Sequence, residues 1–503
     1  MFHSILRGGS LFAALMISTA AHGALTAEQV WANWKTLNTF LGQTVTAASE
    51  TREGDTLVIK GVEVVSAFVG GSARGTIDTM NLRELGDGRV EVVSSPDYPT
   101  TVNMTDSDGK TFVSNVIFRQ PDLKMIVSGS DAEMIYDYSA SSIKVEVNNP
   151  VAEEEPDEFD LDVDLTGVAG KDIVTAGASV KVVSSFSADS AGFTLVMTDP
   201  QATSTVNLKG SFNALAGTAN LNMLGTAATD SFVKALEDGF TADGTFTYGA
   251  GTLEFDAAEA ADTTKGTATI GSGSVAVGLS AEQMSYGGGA KDVAMTVSGS
   301  TIPVPSLGLS YAETAFNLSI PFSKSDVPGD FAFLTKLIDF KLSDDVWALF
   351  DPGSVLPRDP ATIVIDTKGK LNWLVDIMDP FEAAKVDENS SLAQFHALDV
   401  TELRLKAAGA EVTGTGAFTF DNSDTTTFPG MPMPTGQLDL KIVGTNGLLD
   451  RLVQMGLLPE DQAMGARMMM GLFAKTVEGS DDTLTSTLEF KDKGFFANGQ
   501  RLQ

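Results

Sequence analysis

The chain has 503 residues, with 66 Asp and Glu against 33 Lys and Arg, a formal net charge of −33 at pH 7. Such a surface repels nucleic acid and adheres poorly to anionic lipid, so no nucleic-acid partner is expected. There is no cysteine, which excludes thiol catalysis, thiolate zinc sites and iron–sulfur clusters.

The first residues read as an export signal. Met1 to Arg7 carries one positive charge and no acid, Leu11 to Ile17 is an unbroken apolar run, and Ser18 to Ala24 turns small. Residues 1–23 are therefore expected to be removed before Ala24 as the chain is exported. The apolar run is too short for a membrane anchor, and no later segment is apolar enough for a transmembrane helix. His3 and His22 leave with the signal. His396 is then the single histidine, too few for the usual zinc sets, and no metal or cofactor is expected.

The mature chain is predicted to open with a helix. Thr26 and Gln29 form a capping-box pattern, Val30, Trp34, Leu37 and Leu41 share a face beside Trp31, and Gly42 ends it. From Thr44 to about Phe322 the period changes to two, as in Thr56–Val65, Arg89–Val93 and Phe159–Leu165. Strict alternation means one buried and one wet face of antiparallel sheet. Turns are expected at Gly86–Gly88, Ser107–Gly109, Ala242–Gly244 and Gly287–Gly289. Tyr136, Tyr286 and Tyr311 each begin a similar pattern of apolar residues, read as one strand–turn–strand unit used three times.

Residues 148–158 are acidic and proline-punctuated, a solvated loop. Beyond it Asp160, Asp162 and Asp164 share one strand face. They are candidate calcium ligands, although Leu165 stands where the EF-hand pattern needs glycine. Asp330 to Phe350 reads as helical through Leu334, Leu337 and Ile338, with Ser343 capping a second short helix. Pro352, Pro357 and Pro360 lead into the strand Thr362–Asp366, and residues 421–436 form a loop. Gly447 to Leu458 and Pro459 to Val477 read as two helices. Met464, Met468, Met469 and Leu472 line the second. Such a methionine face is more often core, and otherwise an adaptable apolar ligand surface. Thr483–Leu488 and Gly494–Leu502 close the chain as a hairpin.

Enzyme motifs are sparse. Asp108–Thr111 imitates the end of a phosphate loop but has Met104 where glycine is required. Ser141–Lys144 matches Ser-x-x-Lys without its partner motifs, at a hairpin entry. The boundaries that follow are 1–23 signal, 24–147 helix plus sheet, 148–158 acidic loop, 159–329 continued meander and 330–503 a mixed region continuous with the same sheet. The fold class is mainly β (α+β): a long antiparallel meander curled into an elongated sheet or groove, with an N-terminal helix and several C-terminal helices packed on it.

Three stretches carry a resemblance: Leu25–Trp31, Asp351–Thr362 following Trp347, and Asp481–Phe490 with Gly494 and Asn498–Leu502. They resemble an uncharacterised family of exported Gram-negative envelope proteins, domain of unknown function 2125. The resemblance spans the mature chain, implies a periplasmic setting and brings no catalytic residues. The expected function is a non-enzymatic envelope binding or scaffold protein, with an apolar groove for lipid or another amphipathic molecule. The alternatives are a carboxylate-based hydrolase of envelope polysaccharide, which needs two carboxyl groups about 5–10 Å apart in one cleft, and an outer-membrane barrel.

Overall fold

Helix α1 (Ala27–Phe40) starts where the capping box places it. Thr26 Oγ1 accepts from Gln29 N at 3.2 Å, and Gln29 Oε1 accepts from Thr26 N at 2.8 Å. The computed structural model describes residues 24–68, 70–105, 109, 111–148, 158–199, 203–224, 232–376, 391–480 and 482–503. The expected signal segment and nearly all of the acidic loop therefore lie outside the described residues. The helix lies across the sheet through Ala27, Val30 and Trp31, and Trp31 Nε1 donates to Glu50 at 2.7 Å. Leu41, expected on the same face, is 54% exposed because the helix has already ended.

A second clamp holds the helix start. Glu84 Oε1 accepts from Ala27 N at 3.0 Å, while Arg52 reaches Glu84 at 2.7 Å and Glu28 at 3.3 Å. The Arg52 guanidinium first, and the Ala27 amide second, hold the Glu84 carboxyl below its usual range. A lowered folded value contributes stability that is full above the ordinary glutamate pKa, about 4.3. That contribution is lost as pH falls through the folded value. Acidification should therefore loosen α1, read as a shift of tryptophan emission, and Glu84→Gln should flatten that step; an unchanged step would assign it elsewhere.

From Gln43 onward the chain is mainly strand, and strands close in sequence pair antiparallel. β1 (Gln43–Glu53), β2 (Thr56–Phe68) and β3 (Gly71–Glu84) pair in turn. β4 (Val90–Ser94) and β5 (Asp97–Thr105) divide the next row between them, as do β6 (Thr111–Arg119) and β7 (Lys124–Ser130). Both of these pair on to β8 (Glu133–Asn148), followed by β9 (Glu158–Thr175), β10 (Ser179–Asp199) and β11 (Ser204–Leu224). After the short α2 (Phe232–Glu237) the device recurs. β12 (Thr241–Tyr248) and β13 (Gly251–Glu259) share one row, β14 (Asp262–Ile270) and β15 (Ser272–Leu279) the next, and both join β16 (Gln283–Gly299).

β17 (Leu307–Pro321), β18 (Gly329–Leu342), α3 (Asp344–Phe350), β19 (Ala361–Trp373), β20 (Ala393–Ala407), β21 (Ala410–Asp421) and β22 (Met433–Val443) continue the meander. Helices α4 (Thr445–Gln454) and α5 (Glu460–Phe473) interrupt it. β23 (Lys475–Thr476), β24 (Thr483–Lys491), β25 (Gly494–Ala497) and β26 (Gln500–Arg501) finish it. β1 pairs only with β2 and β26 only with β25, so among the described residues no pairing closes the sheet into a barrel.

A crease crosses the strands. Gly61 on β2, Gly167 on β9, Ala214 on β11, Asp292 on β16 and Asp339 on β18 all have φ between 49 and 60°. The register sets them in line. Gly167 faces Ser141 between the pairs Ala140↔Val168 and Ser142↔Thr166, and Ala214 faces Asp189 on β10. The interruptions between β12 and β13 and between β14 and β15 lie on the same line, opposite Ala214 and Asp292. Pairing stays in register across this line on β2, β9, β11 and β16, so each of these strands and its partner swap together which parity faces inward. Leu57 and Ile59 thus give way to Val62 and Val64, all buried. One core cluster lies beneath α1, including Trp31, Ile59, Leu82, Val127 and Met134; a smaller one runs along the crease, through Ala140, Val168, Ala188 and Leu215.

Several expectations give way here. Residues 330–342 are strand, not helix: Leu334, Leu337 and Ile338, expected on one helical face, fall on both faces of β18 and are all half-buried there. The Tyr136, Tyr286 and Tyr311 patterns are single long strands rather than strand–turn–strand units. Ser141–Lys144 lies inside β8, not at a hairpin entry. Ala242–Gly244 and Gly287–Gly289 are strand interior, not turns. Gly86–Gly88 does form the expected turn, whereas Ser107 and Asp108 fall outside the described residues.

Candidate functional site

The alternation places apolar side chains in unbroken rows across the sheet. One row beyond the crease runs Tyr98, Phe118, Val145, Val163, Phe193, Gly210, Leu253, Ala268, Met295, Leu309 and Leu342, each the register partner of the next. The row beside it includes Val147, Leu161, Leu195, Leu208 and Phe255. Apart from the buried Gly210 these residues are only half-buried, on strands as long as 21 residues. On the α1 side of the crease the rows Phe246–Val275 and Val277–Tyr286–Leu318 continue the face toward Phe316. There Val277 is 50% and Tyr286 53% exposed, with Phe246, Val275 and Phe316 each at 38%.

Sequence reasoning missed how glycine serves this face. Glycines stand directly across from aromatic rings at Gly170–Tyr138, Gly210–Phe193, Gly251–Phe212, Gly266–Phe255, Gly273–Tyr248 and Gly369–Phe331. A Cβ at Gly266 would lie 2.0 Å from the Phe255 ring, and one at Gly273 2.2 Å from Tyr248. The rings lie over their glycines and cover the backbone that a missing side chain exposes. The signal that could have found these sites is an aromatic residue one hairpin away from a glycine within an alternating run.

The opposite face is polar and ion-paired. Lys144 meets Asp164 at 3.0 Å, Arg119 meets Glu146 at 3.0 Å and Lys265 meets Asp256 at 2.9 Å. Asp160, Asp162 and Asp164 do share this face of β9. No group of three His, Cys, Asp or Glu able to hold a metal occurs among the described residues. Three hollows of about 780, 520 and 420 Å3 open here. The largest is walled by small polar residues and has one carboxylate, Glu313, held by Lys336 at 2.9 Å. In the others Lys265 engages Asp256 with Glu254 beside it, and Arg119 and Lys144 engage Glu146 and Asp164 with Asp162 beside them.

The methionines of α5 are not core. Met464, Met468 and Met469 are 65, 73 and 54% exposed, Leu472 is 49% exposed, and Ala463 is the buried residue of that helix. Ser141 and Lys144 do not make a nucleophile pair: the Ser141 amide donates to the Asp122 carboxylate at 3.1 Å, and Lys144 is engaged by Asp164. His396 Nε2 lies 2.7 Å from Asn372 Oδ1, a structural contact between β20 and β19.

The distinctive C-terminal stretches also do structural work. Asp351 is 1% exposed and accepts from Val355 N and Leu356 N, each at 2.9 Å. Asp482 caps α4 from a distance, accepting from Asn446 N at 3.0 Å and Gly447 N at 2.9 Å. Ser486 Oγ and Asn498 Nδ2 both donate to the carbonyl of Phe473, which ends α5. Asn498 and Gly499, with φ of 51 and 81°, form the turn between β25 and β26.

These same stretches lie within the region that identifies the chain. Residues 117–499 match the model of DUF2125, uncharacterized protein conserved in bacteria, and the chain belongs to that family. No curated protein matches it. The crystal structure of ferric citrate transporter FecA in the unliganded form aligns over 91% of this chain and 76% of that one. It does so at 8% identity and a TM-score of 0.16, which carries no argument.

Proposed function

We propose that this member of the DUF2125 family is a non-enzymatic binding protein of the periplasm. It holds a lipid or another amphipathic molecule along the apolar face of its sheet. The observation that carries this reading is the uncovered row around Val277, Tyr286 and Phe316, continuous with half-buried rows on both sides of the crease. Exposed apolar patches beyond a few hundred Å2 are rare on proteins with nothing to bind. Hydrocarbon laid on this face removes apolar surface of both partners from water, at roughly 25 cal/mol per Å2. The dense negative charge keeps such a protein dispersed while one face stays apolar. The periplasmic setting rests on the export reading of residues 1–23. Among the described residues no helix is long and apolar enough to cross a membrane.

Native mass spectrometry of protein purified without detergent tests the reading. Lipid adducts are expected on the wild-type chain and should be lost from Val277→Asn Phe316→Asn. Phe316 meets the Tyr286 and Phe333 rings, so a loss of about 1–3 kcal/mol is expected and circular dichroism first shows that the variant folds. Bare protein in repeated preparations, or adducts undiminished in the variant, would overturn it.

A further inference from the structure

A cavity of about 190 Å3 lies between α1 and the sheet, and nothing above assigns it a role. Its inner wall is Trp31, Met80, Leu82 and Tyr136, all buried. Its rim is Trp34, Val92, Leu123 and Met125, all half-buried. Trp31 and Trp34 stack with centroids 5.3 Å apart, making one aromatic side. The polar lining groups are already engaged. Gln120 Nε2 donates to Ser94 Oγ at 3.1 Å, and the Tyr136 hydroxyl donates to Asn33 at 2.7 Å. A polar ligand would lose hydrogen bonds to water here and gain few in return. Hydrocarbon suits the space: an apolar cavity of about 150 Å3 is already enough for benzene.

Leu123 connects the cavity to the face described above. It borders the cavity and also packs against the crease cluster, which includes Phe212 and Tyr248. Those two rings meet edge to face at 4.9 Å, and Tyr248 lies 6.4 Å from the exposed Phe246. Apolar contact therefore runs from the exposed face across the crease to the cavity rim.

We infer that this cavity is the seat for the terminal hydrocarbon end of an acyl chain. The remaining length of the chain runs along the apolar face, and the headgroup stays outside. This rests on the proposed function and narrows it to ligands with an alkyl chain end.

Bromine on a bound chain quenches nearby tryptophan, and two of the four tryptophans line this cavity. The probe is ω-bromododecanoate, with α-bromododecanoate as its control. The full chain is titrated, and so is a Trp347→Phe Trp373→Phe variant in which only Trp31 and Trp34 emit. The ω-isomer is expected to quench several-fold more strongly than the α-isomer. If the double variant does not fold, the same ratio is read on the wild-type chain. Val92→Phe, which fills the rim, should weaken ω-quenching about tenfold, the effect of excluding roughly two methylenes. Leu123→Phe is the substitute if that variant does not fold. Equal quenching by both isomers, no quenching, or undiminished quenching in the filled variant would each overturn the chain-end seat. Lipid adducts in the native spectra would still sustain the wider reading in that event. Strong ω-quenching without natural adducts would sustain the seat and defeat the wider reading.

Discussion

Gly167→Val should be among the most destabilising single changes in the molecule, lowering stability by about 3 kcal/mol or more. Two separate costs meet there. Gly167 has φ of 60°, and a Cβ would lie 2.1 Å from Asp189 Oδ2. The left-handed conformation costs an L-residue about 1–2 kcal/mol, and a β-branched one more. The contact adds to it, because the Asp189 carboxylate must move at a line where the register is fixed on both sides. Gly54 separates the two costs. It has φ of 63° with nothing within 4 Å of the position of a Cβ. Gly54→Ala should therefore lose only the backbone part, about 1 kcal/mol, while Gly167→Ala loses clearly more. Ala214 supplies the opposite sign: it already bears the left-handed strain at φ 49°. Ala214→Gly should gain up to about 1 kcal/mol after glycine's own entropic cost. Urea midpoints of the four variants check the set. Equal losses at Gly54 and Gly167 would show that the crease tolerates a side chain.

The crease is also where sequence reading stopped working. Period two was legible wherever a strand kept one parity, as in Phe159–Leu165. It failed in β18, where Leu334, Leu337 and Ile338 stand on both faces of one strand and mimic a helical spacing. The glycines misled for a related reason. In Gly287–Gly289 they read as a turn, yet they stand in β16 against neighbours that leave no room for a Cβ: a Cβ on Gly289 would lie 2.3 Å from the Thr314 carbonyl. Local chemistry was read correctly where the partner is three residues away, as for Thr26 and Gln29. It was invisible where the partner is remote, as for Asp482 capping α4 or Glu84 reaching Ala27. The candidate site follows the same rule. That one face would be apolar was legible from alternation. Which part of it would stay uncovered depends on where α1, α4 and α5 settle, and no periodicity encodes that. The methionines of α5 show the gap: their spacing fits a buried face, and they are exposed.

Asp351→Ala should destabilise by about 3 kcal/mol, since each buried amide left without an acceptor costs roughly 1–3 kcal/mol. The two amides are those of Val355 and Leu356, and the bond to Leu356 is buried. Asp351 also ends α3, its own amide donating to Trp347 O at 2.8 Å. Arg358 locks the far side of the turn, donating to Ser354 Oγ at 2.9 Å with its guanidinium 5.7 Å from the Trp347 ring. Pro352, Pro357 and Pro360 leave the segment few other conformations, so the carboxylate selects among a small set rather than ordering a flexible loop. Asp351→Asn keeps the shape and one acceptor oxygen, and turns its NH2 toward an amide donor. It should cost about half as much as the alanine variant. Limited proteolysis between α3 and β19 measures the turn itself, and thermal unfolding measures the whole chain. A structural role requires the two to move together, with alanine worse than asparagine. A catalytic role for this carboxylate would instead leave Asp351→Asn as stable and as protease-resistant as the wild-type chain. That outcome would return the hydrolase reading to consideration, with Asp351 as its first candidate.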